Sequence, residues 1–212
     1  MQEILDKIAA LVPTLDGWCP VEKAQWLAKW IVGHWCASVV EIGVFGGRSL
    51  IPMALAMQEV RRLRGSWPGR VVGVDSYSNA DSVESDFTEE GKKWWGAVDL
   101  VAIKKRCESA IEEIGLKDVC SLMIVSSGVG VTHFADGTLD LVHVDGGHSE
   151  AQSTSDVKLW WPKLRQGGVM VMDDTNWESV RAARRMVASW GRSVQISESW
   201  EAFQKVPPSV EF

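Results

Sequence analysis

Apolar residues follow two rhythms along this chain. In some segments they form short, nearly unbroken runs: Val39, Val40 and Ile42; Val71, Val72 and Val74; Leu122–Val125; Leu139–Val144; Val169–Met172. Runs of this length, flanked by turn formers, predict strands buried on both faces. The expected strands are one ending at Ile42, then Arg70–Asp75, Ser121–Ser126, Leu139–Asp145 and Val169–Asp173. Between them the apolar positions recur at helical spacing. Helices are expected over residues 2–12 and 21–36, Leu50–Leu63, Lys92–Ile114, Ser149–Trp161 and Glu178–Trp190. In the second of these, Ala24, Leu27, Ala28, Ile31 and Trp35 share one face. Two short extended runs near the end, Ser193–Ile196 and Ala202–Val206, are separated by a polar turn and suit a β-hairpin. Ser76–Gly91, rich in Ser, Asp and Glu, lies between a strand and a helix and is a candidate lid.

Strands alternating with helices imply an α/β fold: a doubly wound, mostly parallel seven-stranded sheet with a C-terminal β-hairpin. Residues 1–36 form a helical N-terminal extension or cap, and 37–212 one compact domain. A net charge of −6 without a basic run argues against nucleic acid as a partner. No apolar run approaches the ~20 residues of a membrane span, so no membrane partner is expected. Cys19, Cys36, Cys107 and Cys120 show no CxxC spacing. The opening residues are amphipathic and mixed in charge, unlike a secretory leader, so reduced thiols in a cytoplasmic protein are expected. Of the tryptophans, Trp18, Trp94 and Trp95 lie in segments able to cover a pocket.

Chemistry concentrates where strands end. The first expected strand runs into EIGVFGGRS, where Gly43, Gly46 and Gly47 allow a tight turn and a ligand lying on backbone. Ser49 stands where a helix N-cap belongs and Pro52 falls in the first turn, so free amides and a positive dipole end face the turn. Glu41 is a carboxylate in an otherwise apolar strand. Asp75, at the end of the second strand, can accept both hydroxyls of a ribose. The dinucleotide pattern G-x-G-x-x-G needs glycine where this chain has Phe45. A pyrophosphate is therefore disfavoured, and a nucleoside without phosphates, such as S-adenosylmethionine, fits better.

Asp145 and the pair Asp173-Asp174 close the fourth and fifth strands. Three carboxylates converging there are a hard-oxygen set suited to Mg²⁺, Mn²⁺ or Ca²⁺. His148, in DGGH, would stand beside such an ion as a proton acceptor or as a ligand. His34, His133 and His143 have no such company and are expected to be structural.

In this order and spacing, EIGVFGGRS, GVDSYS, LDLVHVDGGHSEA and LRQGGVMVMDDT resemble a class I S-adenosylmethionine-dependent methyltransferase. The likeness is greatest to the divalent-metal-dependent O-methyltransferases of the catechol and macrolide-sugar types, and it runs from about Trp18 to Trp177. It implies that Gly43, Phe45, Gly47 and Ser49 wrap the methionine of the cofactor, with Glu41 near its amino group. Asp75 would hold the ribose and Ser127 would lie near the adenine. Asp145, Asp173 and Asp174 match the metal ligands; Asp145 borders the cofactor and, with His148, forms the catalytic pair. Histidine in place of the catechol enzymes' lysine favours sugar-type chemistry. The implied reaction moves a methyl group to a hydroxyl of a small molecule or sugar, and a homo-oligomer is compatible with it. Three rivals stand beside it: a metal-independent methyltransferase, an NAD-dependent oxidoreductase, and a non-catalytic S-adenosylmethionine-binding protein.

Overall fold

The computed structural model describes residues 1–65, 67–83 and 88–207. Seven strands, β1 (Ser38–Ile42), β2 (Arg70–Val74), β3 (Cys120–Met123), β4 (Leu139–Val144), β5 (Leu164–Met172), β6 (Arg192–Ile196) and β7 (Glu201–Gln204), form one sheet in the order β3-β2-β1-β4-β5-β7-β6. The first five run parallel. β7 is antiparallel to both β5 and β6, so the C-terminal hairpin is laid into the sheet edge with its second strand innermost. The helices are α1 (Gln2–Leu11), α2 (Val21–Gly33), α3 (Leu50–Arg64), the single turn α4 (Asn79–Ser82), α5 (Glu89–Ala97), α6 (Leu100–Glu113), the single turn α7 (Ser127–Gly130), α8 (Glu150–Trp160) and α9 (Arg181–Trp190).

The strand residues are buried on both sides, as their continuous apolar character requires. The two-residue period sorts them into two cores. Val39, Leu141, Val169 and Val171 pack with α1, α2, α3 and α6 on one face. Val40, Ile42, Val142, Val144, Met170 and Met172 pack with α8 and α9 on the other. Ala24, Leu27, Ala28 and Ile31 of α2 are fully buried in the first core, so the N-terminal helices are part of the domain's packing and not a loose appendage.

Several local expectations change. The helix over Lys92–Ile114 is two helices, because Asp99 interrupts it: its side chain accepts from the Ala102 amide and caps α6. Trp35 lies past the end of α2 with φ of 52°, stacked under the Arg64 guanidinium, instead of on the buried face. β5 begins at Leu164, five residues early, and the Gly167-Gly168 turn is an irregularity inside the β4–β5 pairing. Within the candidate lid, residues 84–87 lie outside the described residues; those described form α4 and the start of α5. All four cysteines are free and buried, in line with the reduced thiols expected. No helix among the described residues is long and apolar enough to cross a membrane.

Candidate active site

A cavity of about 720 Å³ opens at the carboxyl ends of the parallel strands, within the ~300–1,000 Å³ usual for small-ligand sites. Its floor is made by the residues that follow β1, β2, β3, β4 and β5. The loop before α2 and the tryptophans of α5 complete the wall.

The β1 side is built from backbone. Gly43, with φ of +78°, packs so tightly on β4 that a Cβ there would lie 2.0 Å from the Asp145 carbonyl oxygen. A Cβ at Gly46 would lie 2.5 Å from the Asp16 carbonyl oxygen, in the loop before α2. These glycines are thus demanded by the chain's own close approaches. Phe45 and Tyr77 both hold left-handed backbone, φ of 49° and 48°, a conformation that is strained for aromatic residues. One carboxylate restrains both. Asp75 Oδ2 accepts from the Val44 and Phe45 amides at 2.8 and 3.0 Å, and Oδ1 from the Tyr77 amide at 2.7 Å. The Tyr77 hydroxyl then donates to the Phe45 carbonyl at 2.8 Å. A carboxylate has roughly four lone-pair sites, so Asp75 staples the turn with three of them and has one left.

Gly43, Phe45, Ser49, Asp75 and Ser127 all line the cavity. Ser127 is itself engaged, donating to Asp156 and accepting from the Trp160 indole at 2.8 Å. Glu41 and Gly47 are not among the lining residues. Glu41 is fully buried beneath the turn, where its Oε1 accepts from Ser49 Oγ and lies 2.7 Å from His143 Nδ1. Ser49 occupies the N-cap position of α3 but spends its hydroxyl on Glu41 and not on the helix amides. Sheet register explains the pairing: Glu41 and His143 are directly opposite on β1 and β4, on the face covered by α2. Burial pushes the Glu41 carboxyl up and, with Lys23 nearby, the His143 imidazole down, so both shifts favour neutral forms. His143 is expected from the sequence to be structural, away from the metal-type cluster; its partner Glu41 is visible only once the strands are paired.

The acid side is built from charged side chains. Asp145, Asp173 and Asp174 do converge, but they divide. Asp173 accepts a hydrogen bond from the ammonium of Lys23, which also lies 3.9 Å from Asp145 Oδ2. Asp174, with φ of 49°, turns away to pair with His148, Nε2 to Oδ2 2.7 Å. His148 Nε2 is 4.0 Å from Asp145 Oδ1, and its ring lies 5.0 Å from that of Trp177. Among the described residues, Asp145, His148 and Asp174 each bring a ligand atom within 4.8 Å of the others, as do Glu41, His143 and Asp145. The ammonium beside it holds Asp173 down at about 2, although burial opposes this. Burial and the neighbouring Asp173 push Asp145 well up, and the two acids keep Lys23 protonated despite its complete burial.

Lys23 is the residue that the sequence reading missed. It precedes Leu27 by four positions and therefore shares the buried stripe of α2, a position where an unpaired lysine is very rare.

The fold defines a class I methyltransferase architecture, and the sequence agrees. Residues 40–175 match the family model described as "Methyltransferase domain", and the chain belongs to that family. A search of curated proteins gives no match. Solved structures share the fold at low identity. A protein from Corynebacterium glutamicum has a TM-score of 0.66 at 13% identity, over 100% of this chain and 93% of that one. The O-methyltransferase TomG of Streptomyces achromogenes, involved in tomaymycin synthesis and solved with S-adenosylmethionine, gives 0.64 at 18%, over 97% and 90%. A Bacillus cereus O-methyltransferase, solved with S-adenosylhomocysteine, gives 0.59 at 16%, over 96% and 91%.

Proposed function

We propose that this methyltransferase moves the methyl group of S-adenosylmethionine to a hydroxyl of a small molecule or sugar. One observation carries the reading: a single cavity joins the glycine turn and Asp75 to the Asp145, His148 and Asp174 cluster. The cofactor would lie on the Gly43–Phe45 backbone with its ribose at the remaining acceptor site of Asp75. The acceptor would enter between His148 and the sulfonium. The S–CH₃ bond breaks as the C–O bond forms, the sulfur pair stays with S-adenosylhomocysteine, and the hydroxyl proton passes to the His148 imidazole. Asp174 stabilises the imidazolium that results. Holding nucleophile and methyl together in one enclosed site supplies much of the remaining rate. Phe45, standing where the dinucleotide pattern needs its second glycine, speaks against a dinucleotide and its hydride chemistry.

Metal-assisted transfer is the second reading, favoured by the approach of Asp145, His148 and Asp174 to one another. A divalent cation held by those three would lower the pKa of the hydroxyl, and His148 would then be a ligand and not the base. The set expected from the sequence, Asp145, Asp173 and Asp174 together, does not fit an ion, because Lys23 already holds Asp173. Incubating the protein with S-adenosylmethionine and a panel of hydroxylated small molecules, with S-adenosylhomocysteine release as readout, tests the proposal. Turnover with a hydroxylated acceptor is expected; release with amine or thiol acceptors alone would contradict it.

A further inference from the structure

Lys23 sits where its chemistry least favours it. It is fully buried and lies in the first turn of α2, where a cation opposes the helix dipole. Burying an ammonium is costly unless charge and hydrogen bonds compensate. Here both compensations come from the acid cluster, 122 and 150 residues further along the chain, at Asp145 and Asp173. Helix α2 thus delivers one positive charge to the site that three converging carboxylates would otherwise offer to an ion.

Local charge matching points the same way. Asp173 is satisfied by Lys23, Asp174 by the His148 imidazole, and Asp145 lies between the two, 3.9 Å from one and 4.0 Å from the other. A divalent ion drawn to Asp145 would stand within a few ångströms of a fully buried ammonium. Like charges at that distance repel strongly in a partly desolvated site. Lys23 is fully buried and does not line the cavity. It is a positioning residue, holding Asp173 and Asp145 in place.

We infer that Lys23 is the resident cation of the acid cluster, standing in for a divalent metal, so that the site works without one and becomes a metal site when the lysine is removed. The activity part rests on the proposed methyl transfer; the metal-binding part does not.

The experiment titrates Mn²⁺ into EDTA-treated, dialysed protein and follows free Mn²⁺ by electron paramagnetic resonance. Wild type is expected to bind no Mn²⁺ stoichiometrically, and Lys23→Met to bind one ion at least about tenfold more tightly than any residual wild-type affinity, given the removal of a full charge at close range. Asp145→Asn in the Lys23→Met background should abolish that gain. Stoichiometric Mn²⁺ binding by wild type that is lost in Asp174→Asn would overturn the inference and establish the Asp145, His148 and Asp174 arrangement instead. A folded Lys23→Met that gains no Mn²⁺ affinity would also overturn it. Should Lys23→Met fail to fold, wild type decides: S-adenosylmethionine-dependent turnover unchanged by EDTA supports the inference, and turnover lost to EDTA and restored by Mg²⁺ overturns it. Failure of the methyl-transfer reading has a separate sign, the absence of S-adenosylmethionine binding by calorimetry in wild type.

Discussion

The two sides of the cavity are built on different principles. The β1 side is local: a turn of consecutive residues, stapled by an acid at the end of the neighbouring strand, with backbone amides as the donors. The acid side is assembled from afar, by side chains in the loops that follow β4 and β5 and by one from helix α2, and its geometry depends on charge pairing. A backbone site tolerates drift in its side chains but not in its close approaches. A charge-paired site behaves in the opposite way. Substitutions on the two sides should therefore fail differently.

The largest effect is expected on the acid side, in turnover alone. His148→Ala should lower the rate by roughly 10²–10⁴-fold, the usual contribution of a positioned acid–base group, and leave S-adenosylmethionine affinity within about twofold. A rate that ignores the substitution would remove His148 from the chemistry. Gly43→Ala should act on stability instead, because its Cβ collides with the backbone of Asp145. Overpacking at about 1–3 kcal/mol and left-handed backbone at about 1–2 kcal/mol suggest a loss of about 2–5 kcal/mol in urea unfolding. A loss below about 1 kcal/mol would show that the turn can shift away from β4.

Asp75→Ala comes next and separates two roles. A residue that only held ribose would change cofactor affinity and leave the melting temperature of the free protein alone. Since Asp75 also restrains Phe45 and Tyr77, both should fall, with stability down by at least about 1.5–3 kcal/mol, the usual worth of one hydrogen bond to a charged group, of which three are lost. An unchanged melting temperature would return Asp75 to the ribose alone. Tyr77→Phe should be the mildest, about 0.5–1.5 kcal/mol for its bond to the Phe45 carbonyl, read by thermal unfolding. A larger loss would mean that the hydroxyl, more than Asp75, keeps Phe45 left-handed.

This difference in construction also decides what could be read from the chain. The strands were legible because burial on both faces leaves them apolar throughout, and the acids at their ends stand out against that background. The glycine turn, Asp75 and the convergence of Asp145, Asp173 and Asp174 follow from local pattern plus the rule that ligands sit at the carboxyl ends of parallel strands. What was not legible depended on register or on distant packing. Glu41 looked like a ligand contact until strand pairing set it opposite His143. Asp173 and Asp174 are adjacent in sequence, yet one meets Lys23 under α2 and the other turns to His148. Lys23 carried a signal in its helical position, four residues before Leu27, but the residues it would meet follow from the sheet order alone. Asp99 was a local cue, an N-cap acid inside an otherwise continuous helical pattern.

The account stands or falls on whether the glycine turn holds S-adenosylmethionine, and calorimetric titration of the EDTA-treated wild-type protein with that cofactor measures it directly. Saturable binding at one molecule per chain, unchanged when Mg²⁺ is added back, is the predicted result. No heat and no saturation up to millimolar cofactor would contradict it.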